Sequence, residues 1–526
     1  MSSLTEPSRS SRSFRAALRA EWTKFRTVRG WMIGLVFAAL MVVLFTFLQA
    51  NGKHTGYCTT PNPSSCVNGH QYVPSGPDGE AVADTYELVA KQLTGDGTIT
   101  ARITSLVGRI WAGPANEAPS LADTESGLTS WAKAGLLITP STRQGSSYAA
   151  VMTTGGHGVR FQYDYTNDQA GLPGSISGTA PRWLRLTRTG NVITGYDSSD
   201  GTHWHTVGCA QLAHLPTTVY IGLFATSPTT SQGSATTATA SFDDIAIGPQ
   251  ADRAAQATSG PWHSMSIGTG PRDFYTTLRN SGYRQTSDSI LVTGSGDIAP
   301  AVAEVGGDTA SDSLLFGLVI ALIVLIVIGT MFITSEYRRG LIRTTFAATP
   351  DRGRVLAAKA VVIGGVAFAV GAVASAVAIP LGEHVMSGNG NYIFPADSLT
   401  VARVIVGSGA LVALTAVAVL GLGTILRRSA GAILAGVVVF VLPTFTGPGI
   451  IGPTSAGSAA TWLYRVTPAA GFSMLGLLPR SGLVSYQYTM GNGYYPLPPW
   501  AGLLVLATYT TVALSAARVV LRRRDA

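Results

Sequence analysis

Six stretches of this chain contain no Asp, Glu, Lys, Arg or His and are long enough to cross a bilayer: Trp31–Ala50, Leu314–Thr334, Ala360–Leu381, Val404–Leu426, Ala430–Ile451 and Trp500–Ala517. A ~30 Å hydrocarbon core takes about 20 apolar residues of helix. Within lipid every backbone amide must find its partner in the chain, which leaves helices or closed barrels. A buried soluble helix can be this apolar, but six such runs in one chain read as spans. Composition agrees, because only 12% of the residues are charged where a soluble domain carries ~25%. The first run exceeds the h-region of a signal peptide, about 7 to 15 residues, and no small-residue cleavage site follows, so it reads as an uncleaved anchor.

Cytoplasmic loops carry the Lys and Arg excess. With the N-terminus inside, the inner segments hold 19 basic and 5 acidic residues, and the outer ones 17 basic and 23 acidic. The net charge of +8 is therefore a sum of +14 inside and −6 outside. That makes it a topology signal and removes the support for a nucleic-acid partner. All three cysteines and all eight histidines fall on the outer side.

On the inner side, residues 13–30 place Phe14, Leu18, Trp22, Phe25 and Val28 on one helical stripe, with Arg15, Arg19, Lys24 and Arg26 mostly elsewhere. An Arg-rich amphipathic helix directly before a span is expected to lie in the headgroup plane; the plainer reading is a basic flank that only sets topology. The loop 335–359 reads Glu336-Tyr-Arg-Arg-Gly-Leu-Ile-Arg-Thr-Thr-Phe-Ala-Ala-Thr-Pro350-Asp-Arg, with Lys359 at the next span. Gly340 and Pro350 can bound a short helix there, and the arginines can grip a carboxylate bidentately. Such a loop suits docking of a soluble partner; otherwise it is solvated and basic.

This loop resembles the one after the second span of type 2 ATP-binding cassette (ABC) exporter permeases, which carries E-Y-R-x-G-x-I-R-x-T-x-x-x-x-P-x-R. Glu21-Trp-Thr-Lys-Phe-Arg-Thr-Val-Arg-Gly-Trp31 and Trp462-Leu-Tyr-Arg-Val-Thr-Pro468-Ala-Ala-Gly-Phe are similar to two further motifs of that family. The resemblance implies that Glu336, Tyr337, Arg338, Gly340, Arg343, Thr344, Pro350 and Arg352 couple the spans to a separate ATPase. It also implies short re-entrant helices before the last span. The departure is size, since the family's first outer loop is short and here holds some 263 residues. No G-x-x-x-x-G-K-[ST] phosphate loop occurs in the chain, so nucleotide chemistry must come from another subunit. The six apolar runs contain no ionisable residue with which to couple an ion gradient. In the third span small residues recur four apart, as at Gly365, Ala369, Ala367 and Gly371, which suits close helix contact within the chain or between copies.

Between the first two spans the pattern changes to short, β-branched and aromatic runs separated by Gly, Ser, Asn and Asp, the grammar of a β-sandwich. Residues from about Asp78 to Gly248 resemble concanavalin-like jelly-roll modules, on Trp131-Ala-Lys-Ala-Gly-Leu-Leu-Ile138, Pro181-Arg-Trp-Leu-Arg-Leu-Thr-Arg-Thr-Gly190 and Tyr196-Asp-Ser-Ser-Asp-Gly-Thr-His-Trp204. Trp183 and Trp204 are expected to face the core rather than a sugar. No E-x-D-x-x-E set is present, so the paired carboxylates of a retaining glycosidase are not evident. His203 and His205 share a face of an expected strand; without a third ligand they read as a solvated pair. Cys58 and Cys66, just outside the first span, point to a local disulfide, which leaves Cys209 as a buried small apolar residue; the alternative is that Cys209 pairs with one of the other two.

The expected fold is thus a mixed membrane protein: a six-helix transmembrane domain with an inserted all-β, lectin-like jelly-roll sandwich outside the cell. It divides into an interfacial helix (1–30), the first span (31–50), a cysteine-containing linker (51–77), the sandwich (78–250), a polar return segment (251–313) and the remaining spans (314–526). The expected function is a permease subunit in the plasma membrane, both termini cytoplasmic, homodimeric or paired with a similar permease, with no catalytic residue, no metal and no cofactor. Its expected partners are the ATPase, the lipid bilayer and, for the sandwich, cell-wall glycan. The rival is a membrane-anchored carbohydrate-binding or sensing protein without transport.

Overall fold

The computed structural model describes residues 9–53, 66–67, 70–71, 73–112, 123–174, 180–230, 234–248, 260–268, 282–301, 310–348, 351–445, 462–477, 481–484 and 495–523. It contains two compact units, one helical and one of β-sheet.

The helical unit begins with α1 (Arg9–Thr27) and α2 (Arg29–Gly52), separated by an extended Val28. It continues with α3 (Ala310–Arg338), α4 (Leu341–Ala348), α5 (Arg352–Gly388) and α6 (Ser398–Leu426). Then come α7 (Ser429–Phe440), α8 (Leu442–Phe445), a 3-10 helix Pro468–Leu475 and α9 (Pro499–Arg523). Among the described residues, five helices are long and apolar enough to cross a membrane: α2, α3, α5, α6 and α9. The sixth expected span, Ala430–Ile451, departs from expectation. Its described part is the shorter apolar helix Ser429–Phe445, interrupted at Val441, just before Pro443, whose ring and missing N–H oppose a continuous helix. Residues 446–451 of that run lie outside the described residues.

α5 starts eight residues before its apolar run because Asp351 caps it, accepting a hydrogen bond from the Arg354 amide, the usual gain of an Asp N-cap. As a result Lys359, one residue before the apolar run, lies inside a span-length helix. Small residues allow backbones to meet: a Cβ on Gly317 would come within 2.5 Å of the Val42 carbonyl, and one on Gly371 within 3.0 Å of the Ser408 carbonyl. Gly371 thus serves packing of α5 on α6 within the chain.

In the second unit a seven-stranded antiparallel sheet runs Asn167–Ala170, Val159–Tyr163, Ala149–Thr154, Lys133–Thr139, Thr218–Thr226, Tyr86–Thr94, His263–Ile267. It faces a sheet ordered His205–Gln211, Val192–Ser198, Arg182–Thr189, Gly97–Trp111, Thr236–Gly248, Ser289–Gly294, Gly282–Gln285, with Thr124–Ser126 pairing beside Gly97–Trp111. Between them lies a core that includes Val89, Leu136, Val151, Phe161, Leu184 and Phe242. Alternation along each strand sends these side chains inward. Within the polar return segment 251–313, expected either to pack weakly or to link the sandwich to the membrane, three strands complete the two sheets, and Ile298–Pro300 pairs with Val82–Asp84. The sandwich therefore extends past residue 250, because the exposed edge of Thr236–Gly248 needs a partner for its amides.

Candidate coupling site

α1, α3 and α5 converge on four charged side chains. Lys359 is fully buried, and its Nζ donates to Glu21 Oε2 and Glu336 Oε1, each at 2.7 Å. Lys24 Nζ donates to Glu21 Oε1 at 3.0 Å, to Glu336 Oε1 at 3.2 Å and to Thr345 Oγ1 at 3.3 Å. Two ammoniums against two carboxylates leave the cluster electrically neutral. That balance is what permits its burial, since an isolated buried charge would cost several kcal/mol. Desolvation pulls the Lys24 pKa down, but the Glu21 and Glu336 carboxylates outweigh it and raise the pKa above the usual lysine value.

An aromatic wall closes the cluster. Phe25 is buried against Trp31 and edge-on to Phe332, at centroid distances of 5.6 and 5.4 Å, and the Lys359 ammonium lies 4.5 Å from the Phe332 ring centre. Of the expected interfacial stripe, Phe25 thus faces the protein, Phe14 and Leu18 are half-buried, and Trp22 is exposed.

α3 ends in an elbow at Gly340, whose φ of +68° suits a residue without Cβ, and α4 follows at once. The expected coupling residues divide here. Arg338, Gly340, Arg343 and Thr344 are exposed. Glu336 is buried in the cluster, Tyr337 is half-buried with the Arg427 guanidinium 5.2 Å from its ring, and Arg352 donates to the Leu521 carbonyl at 2.7 Å. Pro350 lies outside the described residues. The outward-facing chemistry is therefore a patch of guanidinium groups, Arg338, Arg339 and Arg343, above a neutral buried lock. Sequence reading noticed Glu21, Lys24 and Lys359 but could not join them, because Lys359 and Glu21 are 338 residues apart.

α1, α2 and α5 also border an apolar groove of about 660 Å³, whose lining includes Leu18, Trp22, Val36, Ala39, Gly365 and Val373.

In the sandwich, Trp183 and Trp204 do not face the core as expected. They are half-buried, with the guanidinium of Arg102 5.4 Å from the Trp183 ring and that of Arg185 3.9 Å from the Trp204 ring. Leu184 and Leu186 take the core positions, so Trp183 must point the other way. His203 lies in a turn rather than a strand: its Nδ1 is 2.7 Å from Asp200 Oδ2, while His205 opens the next strand. Among the described residues no group of three or more His, Cys, Asp or Glu could hold a metal. Cys209 is exposed and free, not buried as expected. Cys58 and the Cys66 side chain lie outside the described residues. Deeper in, Asp84 accepts from the Gly145 amide at 2.8 Å. Burial lifts its pKa to about 6 against the moderating bonds from Gly145 and Tyr165.

No protein-family model matches this chain, and no curated protein matches it. Among solved structures, it is similar to a functionally unknown protein from Saccharomyces cerevisiae, at 15% identity over 35% of this chain and 84% of that one, TM-score 0.20. It is also similar to scytalido-glutamic peptidase, solved with a transition state analog inhibitor, at 9% identity over 41% of this chain and all of that one, TM-score 0.24. At these scores neither likeness bears on fold or activity.

Proposed function

We propose that this chain is the membrane-spanning permease subunit of an exporter of the type 2 ABC kind, driven by a separate ATPase, and that its sandwich lies outside the cell. The observation that carries the reading is the α3–α4 elbow. Between two span-length helices, it presents Arg338, Arg339 and Arg343 outward while Glu336 is held from beneath by Lys24 and Lys359. Guanidinium groups around an elbow with a fixed root can bind acidic side chains of a soluble motor. The root passes the motor's displacement to α1 and α5 through ion pairs rather than a flexible tether. The basic excess on this side supports a cytoplasmic elbow.

Affinity purification of the tagged full chain from its native membrane is expected to retain a soluble protein bearing a phosphate loop, and the Arg338→Glu/Arg343→Glu double variant to lose it while melting at an unchanged temperature. A chain that purifies without any ATPase overturns the reading in favour of an anchored binding protein. Orientation is tested separately. The exposed Cys209 thiol is expected to react with a membrane-impermeant maleimide on intact cells, with the Cys209→Ser chain as the reference. Labelling of Cys209 only after permeabilisation would place the sandwich inside.

A further inference from the structure

We propose that the groove between α1, α2 and α5 is a binding site for one acyl chain of an anionic phospholipid, whose headgroup is held by arginines of α1. The proposal rests on the reading that α2 and α5 cross a bilayer. The groove begins at Leu18 and Trp22 of α1 and runs along α5 from Val361 to Val373. Twelve helical steps make about 18 Å, close to the ~15 Å of one leaflet, half of a ~30 Å hydrocarbon core. Along α2 it follows Met32 to Ala39 in the same direction, away from α1. Every lining residue is apolar, so nothing in the groove would compensate a polar occupant for lost water.

The mouth carries the complementary chemistry. Arg15 and Arg19 precede Leu18 and Trp22 by three positions, and Arg26 follows Trp22 by four, which makes them surface neighbours of the groove residues on the helix. All three are exposed. Glu21, the acidic residue of this stretch, is turned inward and neutralised by Lys24 and Lys359, so the surface of α1 around the mouth is positive. A phosphate headgroup with net negative charge fits there, and each such arginine adds to its attraction.

Gly365 provides the test. A Cβ there would meet nothing within 4 Å, so Ala leaves the groove open while Leu fills it, and both favour the helix over Gly. The experiment is native mass spectrometry of the detergent-purified full chain titrated with phosphatidylglycerol or phosphatidylcholine. The native chain and Gly365→Ala are expected to retain phosphatidylglycerol about tenfold more tightly than phosphatidylcholine. Gly365→Leu is expected to lose both lipids, and Arg15→Gln/Arg19→Gln/Arg26→Gln to keep a lipid without preference for either headgroup. Equal retention by Gly365→Leu overturns the site, and an unchanged headgroup preference in the arginine variant overturns the role of α1. If Gly365→Leu instead changes the oligomer mass and leaves lipid retention untouched, the groove is a seam between copies and the proposal fails. Measuring ATPase co-purification on the same variants separates this outcome from failure of the transport reading, since none of these substitutions touches the α4 patch.

Discussion

Replacing Lys359 by Met probes the buried lock directly. The side chain is of similar length and apolar, so packing against Phe332 is kept while the charge is lost. Glu21 Oε2 and Glu336 Oε1 each lose a 2.7 Å ion pair, and Lys24, two-fifths exposed at its side chain, is left to serve two buried carboxylates alone. Glu336 Oε2 is already buried without a hydrogen-bond partner, so the protein has no spare donor in place there. Removing one member of a buried ion pair costs about 3–5 kcal/mol, most of it the uncompensated charge left behind. At about 2–4 °C per kcal/mol for a unit of this size, the helical unit should melt about 6–20 °C lower, as followed by helical circular dichroism in detergent. The triple variant Glu21→Gln/Lys359→Met/Glu336→Gln removes the stranded charges and should recover more than half of the loss. A Lys359→Met chain within 2 °C of the native one, or a triple variant less stable than the single, would show that these charges do not hold α1 to α3 and α5.

Two further outcomes concern the sandwich. The Asp84 pKa, raised by burial from 3.8 to about 6, means that the folded unit binds the proton more tightly than the unfolded chain does. Stability from this group is therefore full below pH ~4 and lost as pH rises through 6. The shift amounts to on the order of 3 kcal/mol, and Asp84→Asn should flatten that part of the stability profile measured by tryptophan fluorescence in urea. At Gly222 a Cβ would meet the Val89 carbonyl oxygen at 2.2 Å, and this contact is backbone on a neighbouring strand. Gly222→Ala should cost about 1–3 kcal/mol through forced strand displacement; unchanged urea unfolding would contradict the packing described.

Much of the architecture was legible because it rests on local rules. An uncharged run of about 20 residues has few alternatives to a helix, and five of the six such runs became span-length helices. Strand alternation and Gly-marked turns likewise announced the sandwich, and the elbow at Gly340 followed from a residue free to take positive φ. The misses came from one local break and from partners distant in sequence. The apolar run 430–451 was read as one element, whereas the helix stops ahead of Pro443. The polar return segment carries too weak a hydrophobic signal to be read as strands, yet the open edge of Thr236–Gly248 recruits it. The faces of Trp183 and Trp204 depend on register against Arg102 and Arg185, which no single strand reveals.

The site shows the same division. Basic residues on one side of the apolar runs are a property of the linear chain, since the charge asymmetry needs no folding to be counted. Which of the charged residues face solvent and which are locked inside was decided only when α1, α3 and α5 packed together. Burial of Lys359 is tolerable solely because Glu21, 338 positions away, and Glu336, 23 positions away, arrive at the same point; a charge in a low-dielectric interior is stable only with its counter-charges in place.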